Sequence, residues 1–134
     1  MRTRMLLVLI LPALLATPGC RSDATDPLGA NLPAVGNAQN SFGFSVLART
    51  LDLDRSYALV FAADSVTVGL AVVGYRAGSA EFQLLDPSGN VLFSRDLAGN
   101  IAEGNARFPA ARPATARLRF SGYSGTVAIG VAGK

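Results

Sequence analysis

AEFQLLDPSGNVLFSRD, residues 80–96, is the stretch that decides the fold. Two runs with the composition of β-strands, residues 80–85 and 91–96, flank a short polar segment from Asp86 to Asn90. Within that segment Pro87 presets φ at the second turn position, and Gly89 accepts a positive φ without steric cost. The stretch therefore predicts an antiparallel β-hairpin.

The same two-residue period extends over the rest of the chain from Ser41 onward. Apolar residues recur at every second position in several short runs, and no run after residue 20 has the period of a helix. The run around Val72 is apolar on both parities, so we expect that strand to be covered on both faces or to lie at the centre of a sheet. The alternating apolar positions are Phe42, Phe44, Val46 and Ala48; Tyr57, Leu59 and Phe61; Val66, Val68, Leu70 and Val72; Leu118 and Phe120; and Val127, Ile129 and Val131.

These patterns predict an all-β fold: a single small antiparallel β-sandwich, jelly-roll-like, with about seven to eight strands. The composition agrees, because half of the residues are hydrophobic, 14 are glycine and only 16% are charged. With Cys20 as the only cysteine, an intrachain disulfide is excluded. Two of the 12 basic residues, Arg2 and Arg4, precede the domain, and the near balance that remains argues against a nucleic-acid partner.

Two segments of the domain resemble a known family of small secreted modules. FQLLDPSGNVLF, residues 82–93, has an Asp-x-x-Gly turn between two strands, and YSGTVAIGVAG, residues 123–133, has a closing Gly-Thr strand. In these features the chain resembles the pre-peptidase C-terminal type of jelly-roll module that is appended to bacterial proteases. The resemblance implies an accessory adhesion or binding role without catalysis.

The N-terminal segment has the three-part layout of a secretory signal. Arg2 and Arg4 precede the apolar run LLVLILPALLA, residues 6–16, which is followed by small and turn-forming residues up to Cys20. As a helix this run would measure about 17 Å. A bilayer core is about 30 Å thick, so we expect a cleaved signal and not a transmembrane anchor.

The position of Cys20, directly after Gly19, resembles the lipobox of bacterial lipoproteins. The resemblance implies that Cys20 becomes the lipidated first residue of the mature protein and carries acyl chains that hold it at a membrane. Arg21 follows where an inner-membrane retention signal would have aspartate, so outer-membrane or cell-surface placement is expected. The alternative is an ordinary signal with an incidental thiol. The predicted organisation is a signal peptide over 1–19, a lipidated cysteine and flexible linker over 20–40, and the sandwich over 41–134.

Candidate site residues are few. The sequence has no histidine, which excludes a Ser-His triad and a histidine-ligated zinc. Arg117 and Arg119, two apart on one strand, point the same way, and with Arg107 they form a candidate site for an acidic glycan or phosphate; the alternative is a solvated sheet face. Asp52, Asp54 and Asp64 form a candidate surface Ca²⁺ site, or simply exposed strand-end and turn residues.

The leading functional hypothesis is a non-enzymatic, lipid-anchored envelope protein that acts as a surface binding or structural module. Its expected partners are the membrane, through the lipid, and an acidic envelope glycan or another envelope protein. The alternatives are a subunit of an envelope assembly and a secreted carbohydrate- or Ca²⁺-binding module. An enzyme would need a pocket lined by at least two carboxylates of the set Asp52, Asp54, Asp64, Glu81 and Asp96.

Overall fold

The computed structural model describes residues 29–63, 65–109 and 112–134, with the backbone alone for residues 103–109. These ranges contain only strands and connecting turns, and no helix in them is long and apolar enough to cross a membrane. The predicted all-β fold is confirmed. The strands are β1 (Ala34–Ala38), β2 (Ser41–Ala58), β3 (Ser65–Leu85), β4 (Val91–Asp96), β5 (Ile101–Pro109) and β6 (Thr115–Gly133).

All six strands form one antiparallel sheet in the order β1-β2-β6-β3-β4, with β5 also paired to β3. Three of the strands are much longer than the sequence pattern suggests: β2 has 18 residues, β3 has 21 and β6 has 19. β3 and β6 each merge two of the predicted short strands, whereas β2 ends at Ala58 and leaves Leu59 and Phe61 outside it. With β1 added, the described residues contain six strands in place of about seven to eight.

The long strands bend in the middle and fold the sheet over on itself. The ladder between β2 and β6 shifts register between Ala48 and Leu53, and that between β3 and β6 shifts between Val73 and Ser79. Such bulges are how a strand passes from one layer of a sandwich to the other. The first layer holds β1, β5 and residues 41–48, 65–73 and 126–133; the second holds β4 and residues 53–58, 79–85 and 115–120.

Aromatic contacts across the bend show that the two layers face each other. The rings of Phe42 and Tyr57, at the two ends of β2, lie 5.5 Å apart between centroids. Phe44 of the first layer stacks on Phe120 of the second at 5.9 Å. The predicted alternating positions of residues 42–48, 66–72, 118–120 and 127–131 are buried, whereas Tyr57, Leu59 and Phe61 are only partly buried against them. None of the described polar or charged side chains is buried.

Close approach of two strands at the bend requires a glycine. Gly78 has φ of +85°, and a Cβ placed on it would overlap the carbonyl oxygen of Gly122 on β6. Left-handed φ and the lack of space both exclude an L side chain there. Gly74, with φ of +65°, also has left-handed backbone but nothing within 4 Å of the added Cβ.

The predicted hairpin turn is confirmed. The Asp86 amide donates to the Asn90 carbonyl at 2.9 Å, the Gly89 amide donates to the Asp86 carbonyl at 3.0 Å, and Gly89 has φ of +85°. The Asp86 carboxylate accepts bonds from the amides of Ser88 and Asn90, each at 2.8 Å. A turn role therefore accounts for Asp86.

Two details differ from the prediction. The sheet starts before Ser41, because Ala34–Ala38 is strand β1 and pairs with residues 41–45 of β2; this part of the predicted linker belongs to the domain. The strand around Val72 was expected either to be covered on both faces or to lie at the centre of a sheet, and the second of these holds. β3 is central, but its outer parity is not covered, since Val73 is 66% exposed.

Candidate functional site

Most of the charged side chains of the second layer lie on its outer face, which points away from the first layer. Phe82 on β3 and Leu118 on β6 are fully buried and point toward the first layer. Because successive side chains on a strand alternate between faces, Glu81, Arg117 and Arg119 point outward. The alternation that builds the core thus also builds a polar surface.

Register brings four charges into one row across this face. Asp54 on β2 is opposite Arg119 on β6, Arg119 is opposite Glu81 on β3, and Glu81 is opposite Asp96 on β4. Cross-strand partners on one face lie close enough to interact. We call Asp54, Arg119, Glu81 and Asp96 the charged row.

The two predicted arginines share one counterion. Arg117 donates from Nη2 to Oδ2 of Asp54 at 3.4 Å, and Nε of Arg119 lies 3.7 Å from the same oxygen. The side chain of Asp54 is 61% exposed, so water screens both pairs, and such pairs contribute about 1 kcal/mol or less. Arg117 and Arg119 lie on one face, but an anionic ligand would have to compete with Asp54 for them.

The third predicted arginine lies elsewhere in the sheet. Arg107 on β5 is opposite Thr67 of β3, whereas Arg117 is opposite Gln83, which belongs to the other layer. The backbone register therefore separates Arg107 from the pair, and its side chain is outside the described residues. Only Arg117 and Arg119 are brought together.

An open cleft lies along the charged row. Its volume is about 800 Å³, within the size range of small-molecule sites. Neither Ser79 nor Ser121 was a candidate on sequence, because their place beside the row depends on the register of three strands. The lining consists of Asp52, Leu53, Asp54, Ser79, Ala80, Glu81, Asp96, Arg119, Phe120 and Ser121.

The cleft meets the condition set above for carboxylate chemistry, but each acid in it already accepts a bond from the protein. The Asp52 carboxylate accepts from the amide of Gly122 at 2.8 Å, and that of Asp96 accepts from the amide of Ala98 at 2.8 Å. Oε1 of Glu81 accepts from the Ser94 hydroxyl at 2.7 Å. A ligand that bonded these carboxylates would therefore share them with groups of the protein itself.

The candidate Ca²⁺ site is brought together only in part. Asp52 and Asp54 line the same cleft, and Asp64 lies outside the described residues. Among the residues that are described, no three acidic, cysteine or histidine side chains are grouped closely enough to hold a metal ion. Cys20, the candidate lipidation site, also lies outside them.

Tyr123 serves the core and not a ligand. Its side chain is fully buried, and its hydroxyl donates to the carbonyl of Leu97 at 2.8 Å. Burial, with smaller effects from Tyr75 and Asp96, raises the pKa of Tyr123 to about 12. Its ring packs edge-on against Phe120 at 5.3 Å, which anchors the bend of β6 to the core.

Two comparisons with known proteins give no match. A scan against models of protein families finds no match, and a search of curated proteins finds none either.

Proposed function

We propose that the protein is a non-enzymatic, lipid-anchored envelope protein that uses the outer face of its second layer as a binding surface. The observation that carries the binding part is the charged row, which spans β2, β6, β3 and β4 beside a cleft of about 800 Å³. The anchor rests on the sequence around Cys20. Export to the outer membrane or cell surface follows from the anchor and belongs to the same proposal.

The absence of catalysis is part of the proposal and is supported by the state of the acids. A general acid or nucleophile needs a side chain poised to change its protonation or attack, usually with a neighbouring base. In this cleft Glu81 and Asp52 are already engaged by the Ser94 hydroxyl and the Gly122 amide. The sequence supplies no histidine as a partner base.

Charge balance indicates the chemical class of the ligand. The cleft is lined by four carboxylates against one guanidinium, that of Arg119. The hydroxyls of Ser79 and Ser121 add neutral hydrogen-bonding groups. This set suits a ligand that presents ammonium and hydroxyl groups together, as an amino-sugar does.

A second candidate ligand is an acidic glycan held by Arg117 and Arg119. It is favoured by one observation: Nε of Arg117 is buried and lacks a hydrogen-bond acceptor. An acidic group that displaced Asp54 would meet both guanidinium groups, and charge-assisted bonds of this kind are strong. The two candidates are opposite in charge and can be separated by one set of variants.

Intact mass spectrometry tests the anchor. The full chain is expressed in a bacterium that processes lipoproteins and is extracted from its membranes. A mass equal to residues 20–134 plus acylated glycerol is expected. An unmodified mature mass would overturn the anchor and leave a freely exported domain.

Calorimetric titration tests the binding surface. A glucosamine oligomer is the cationic probe and polygalacturonate the acidic one, and affinity for either should fall as salt rises. Replacing Glu81 with Gln and Asp54 with Asn is expected to abolish binding of the oligomer, while Arg117→Gln, outside the charged row, leaves it. Binding of polygalacturonate that is lost in Arg117→Gln would transfer the site to the arginines. No heat with either probe would overturn both ligand classes.

A further inference from the structure

The end of the sandwich at which the sheet bends also receives the chain from its N-terminal side. Asn31 fixes this connection: its amide donates to the carbonyl of Leu47 at 2.8 Å, its side-chain Nδ2 donates to the carbonyl of Arg49 at 2.9 Å, and its Oδ1 accepts from the amide of Arg49 at 2.7 Å. The direction in which residue 29 enters is therefore set by β2. Any tether on the N-terminal side must leave from this end.

The same end presents basic and apolar side chains to solvent. Arg49 of β2 and Arg76 of β3 are exposed and line one concavity of about 500 Å³ together with Val73. Val73 is 66% exposed and Leu32, next to Asn31, is 59% exposed. A surface with guanidinium groups beside exposed aliphatic side chains can bind at a lipid–water interface, because the first contact phosphates and the second contact the acyl boundary. We call Leu32, Arg49, Val73 and Arg76 the bend surface.

The arginines of the bend surface have no carboxylate partner among the described residues. Asp52 follows Arg49 closely in sequence, but its carboxylate accepts from the amide of Gly122 and lines the cleft of the charged row. Arg49 and Arg76 are therefore available to external anions, in contrast to Arg117 and Arg119.

Chain length places this end near the bilayer if Cys20 carries the lipid. Nine peptide steps join Cys20 to Gly29, which reach about 30 Å when fully extended. The hairpin turn at Ser88 is farther away, because residues 79–85 of β3 lead from the bend to it and add about 20 Å.

From these observations we infer that the bend surface docks on a bilayer containing anionic phospholipids, with Arg49 and Arg76 on headgroup phosphates and Leu32 and Val73 at the interface. The inference rests on the proposed anchor at Cys20. It adds an orientation, in which the bent end of the sandwich contacts the membrane. The charged row, on the outer face of the second layer, is not part of this contact. Membrane contact and ligand binding then use different faces.

Fluorescence of the full lipidated protein in vesicles tests this orientation. Cys20 is blocked by its lipid, so a Val73→Cys variant has one reactive thiol for an environment-sensitive dye. Ser88→Cys, in the exposed turn at the far end, is the matched control. The vesicles are phosphatidylcholine with or without phosphatidylglycerol, doped with a headgroup-nitroxide lipid that quenches on contact.

We expect a blue shift and strong quenching at position 73 in phosphatidylglycerol vesicles, and neither at position 88. Adding Arg49→Gln or Arg76→Gln should reduce the docked-to-undocked ratio about fivefold each, the usual effect of one basic residue at an anionic surface. Equal quenching at both positions would overturn the inference. The inference would also be overturned if quenching at position 73 were the same with and without phosphatidylglycerol and unchanged by Arg49→Gln and Arg76→Gln.

The mass of the same preparation separates the two proposals. Acylated protein without quenching at position 73 would leave the anchor standing and remove the docking. Unmodified protein would remove the anchor, and the docking that rests on it, whatever the dye reports.

Discussion

The hydroxyl of Tyr123 donates a hydrogen bond to the backbone carbonyl of Leu97 at 2.8 Å, and both side chains are fully buried. This bond ties the bend of β6 to the segment that leaves β4, two parts of the chain that are distant in sequence. It is a polar contact within the hydrophobic core.

Tyr123→Phe should destabilise the fold by about 1–2 kcal/mol, because the Leu97 carbonyl keeps its place but loses its donor. For a domain of this size the midpoint of thermal unfolding should fall by about 4–8 °C for each kcal/mol. Tyr75→Phe is the control: its hydroxyl donates to the Gly78 carbonyl at 2.9 Å in a more exposed setting. Equal losses in the two variants would contradict the special role of the buried bond.

Alkaline pH should destabilise the protein through Tyr123. Its pKa is raised from 10.0 to about 12, so the folded state favours the neutral phenol. The resulting stabilisation is complete below pH 10 and is lost as pH rises from there through about 12. Urea unfolding across this range should show a steeper loss in the native protein than in Tyr123→Phe. Parallel pH profiles for the two proteins would refute the assignment.

Gly78→Ala should prevent folding or cost several kcal/mol, because the added Cβ overlaps the Gly122 carbonyl in addition to adopting a left-handed φ. Gly74→Ala has the same strain but open space, so a loss of about 1–2 kcal/mol is expected. Circular dichroism of the two variants during denaturant titration makes the comparison. Similar stabilities would show that the close approach at the bend is not rigid.

Acid should weaken the β3–β4 turn through Asp86. The side-chain bond from Asn90, followed by the backbone bonds from Asn90, Ser88 and Gly89, lowers the pKa of Asp86 below its ordinary 3.8. This contribution to stability is present above the ordinary pKa and is lost as pH falls through the folded-state pKa. Asp86→Asn should therefore be less stable than the native protein at neutral pH and lose less on acidification. The measurement is urea unfolding at neutral and acid pH.

Much of the fold could be predicted from the sequence because burial alternates with strand period. The apolar sets of residues 42–48, 66–72 and 127–131 are all buried as the pattern requires, and the turn at Asp86 has the hydrogen bonds that its residue types favour. The strand lengths could not be predicted. A bulge with glycines, such as that around Gly74 and Gly78, has the same local composition as a turn between two strands.

The candidate site could be predicted only within single strands. Arg117 and Arg119 share a face because they are two residues apart, which is a local fact. The pairing of Arg119 with Asp54 and Glu81 depends on which strands are neighbours and in what register. A strand pattern carries no information on long-range pairing, so the charged row and its cleft emerge only from the folded chain.

The last strand of the chain is also the middle one: β6 lies between β2 and β3 and pairs with both along nearly its whole length. Before residues 115–133 have been synthesised, β2 and β3 have no common neighbour, and only the pairings of β1 with β2 and of β3 with β4 and β5 can form. Such hairpins are marginal by themselves in water. The growing polypeptide should therefore stay unfolded until residues 115–133 are available to pair with β2 and β3 together.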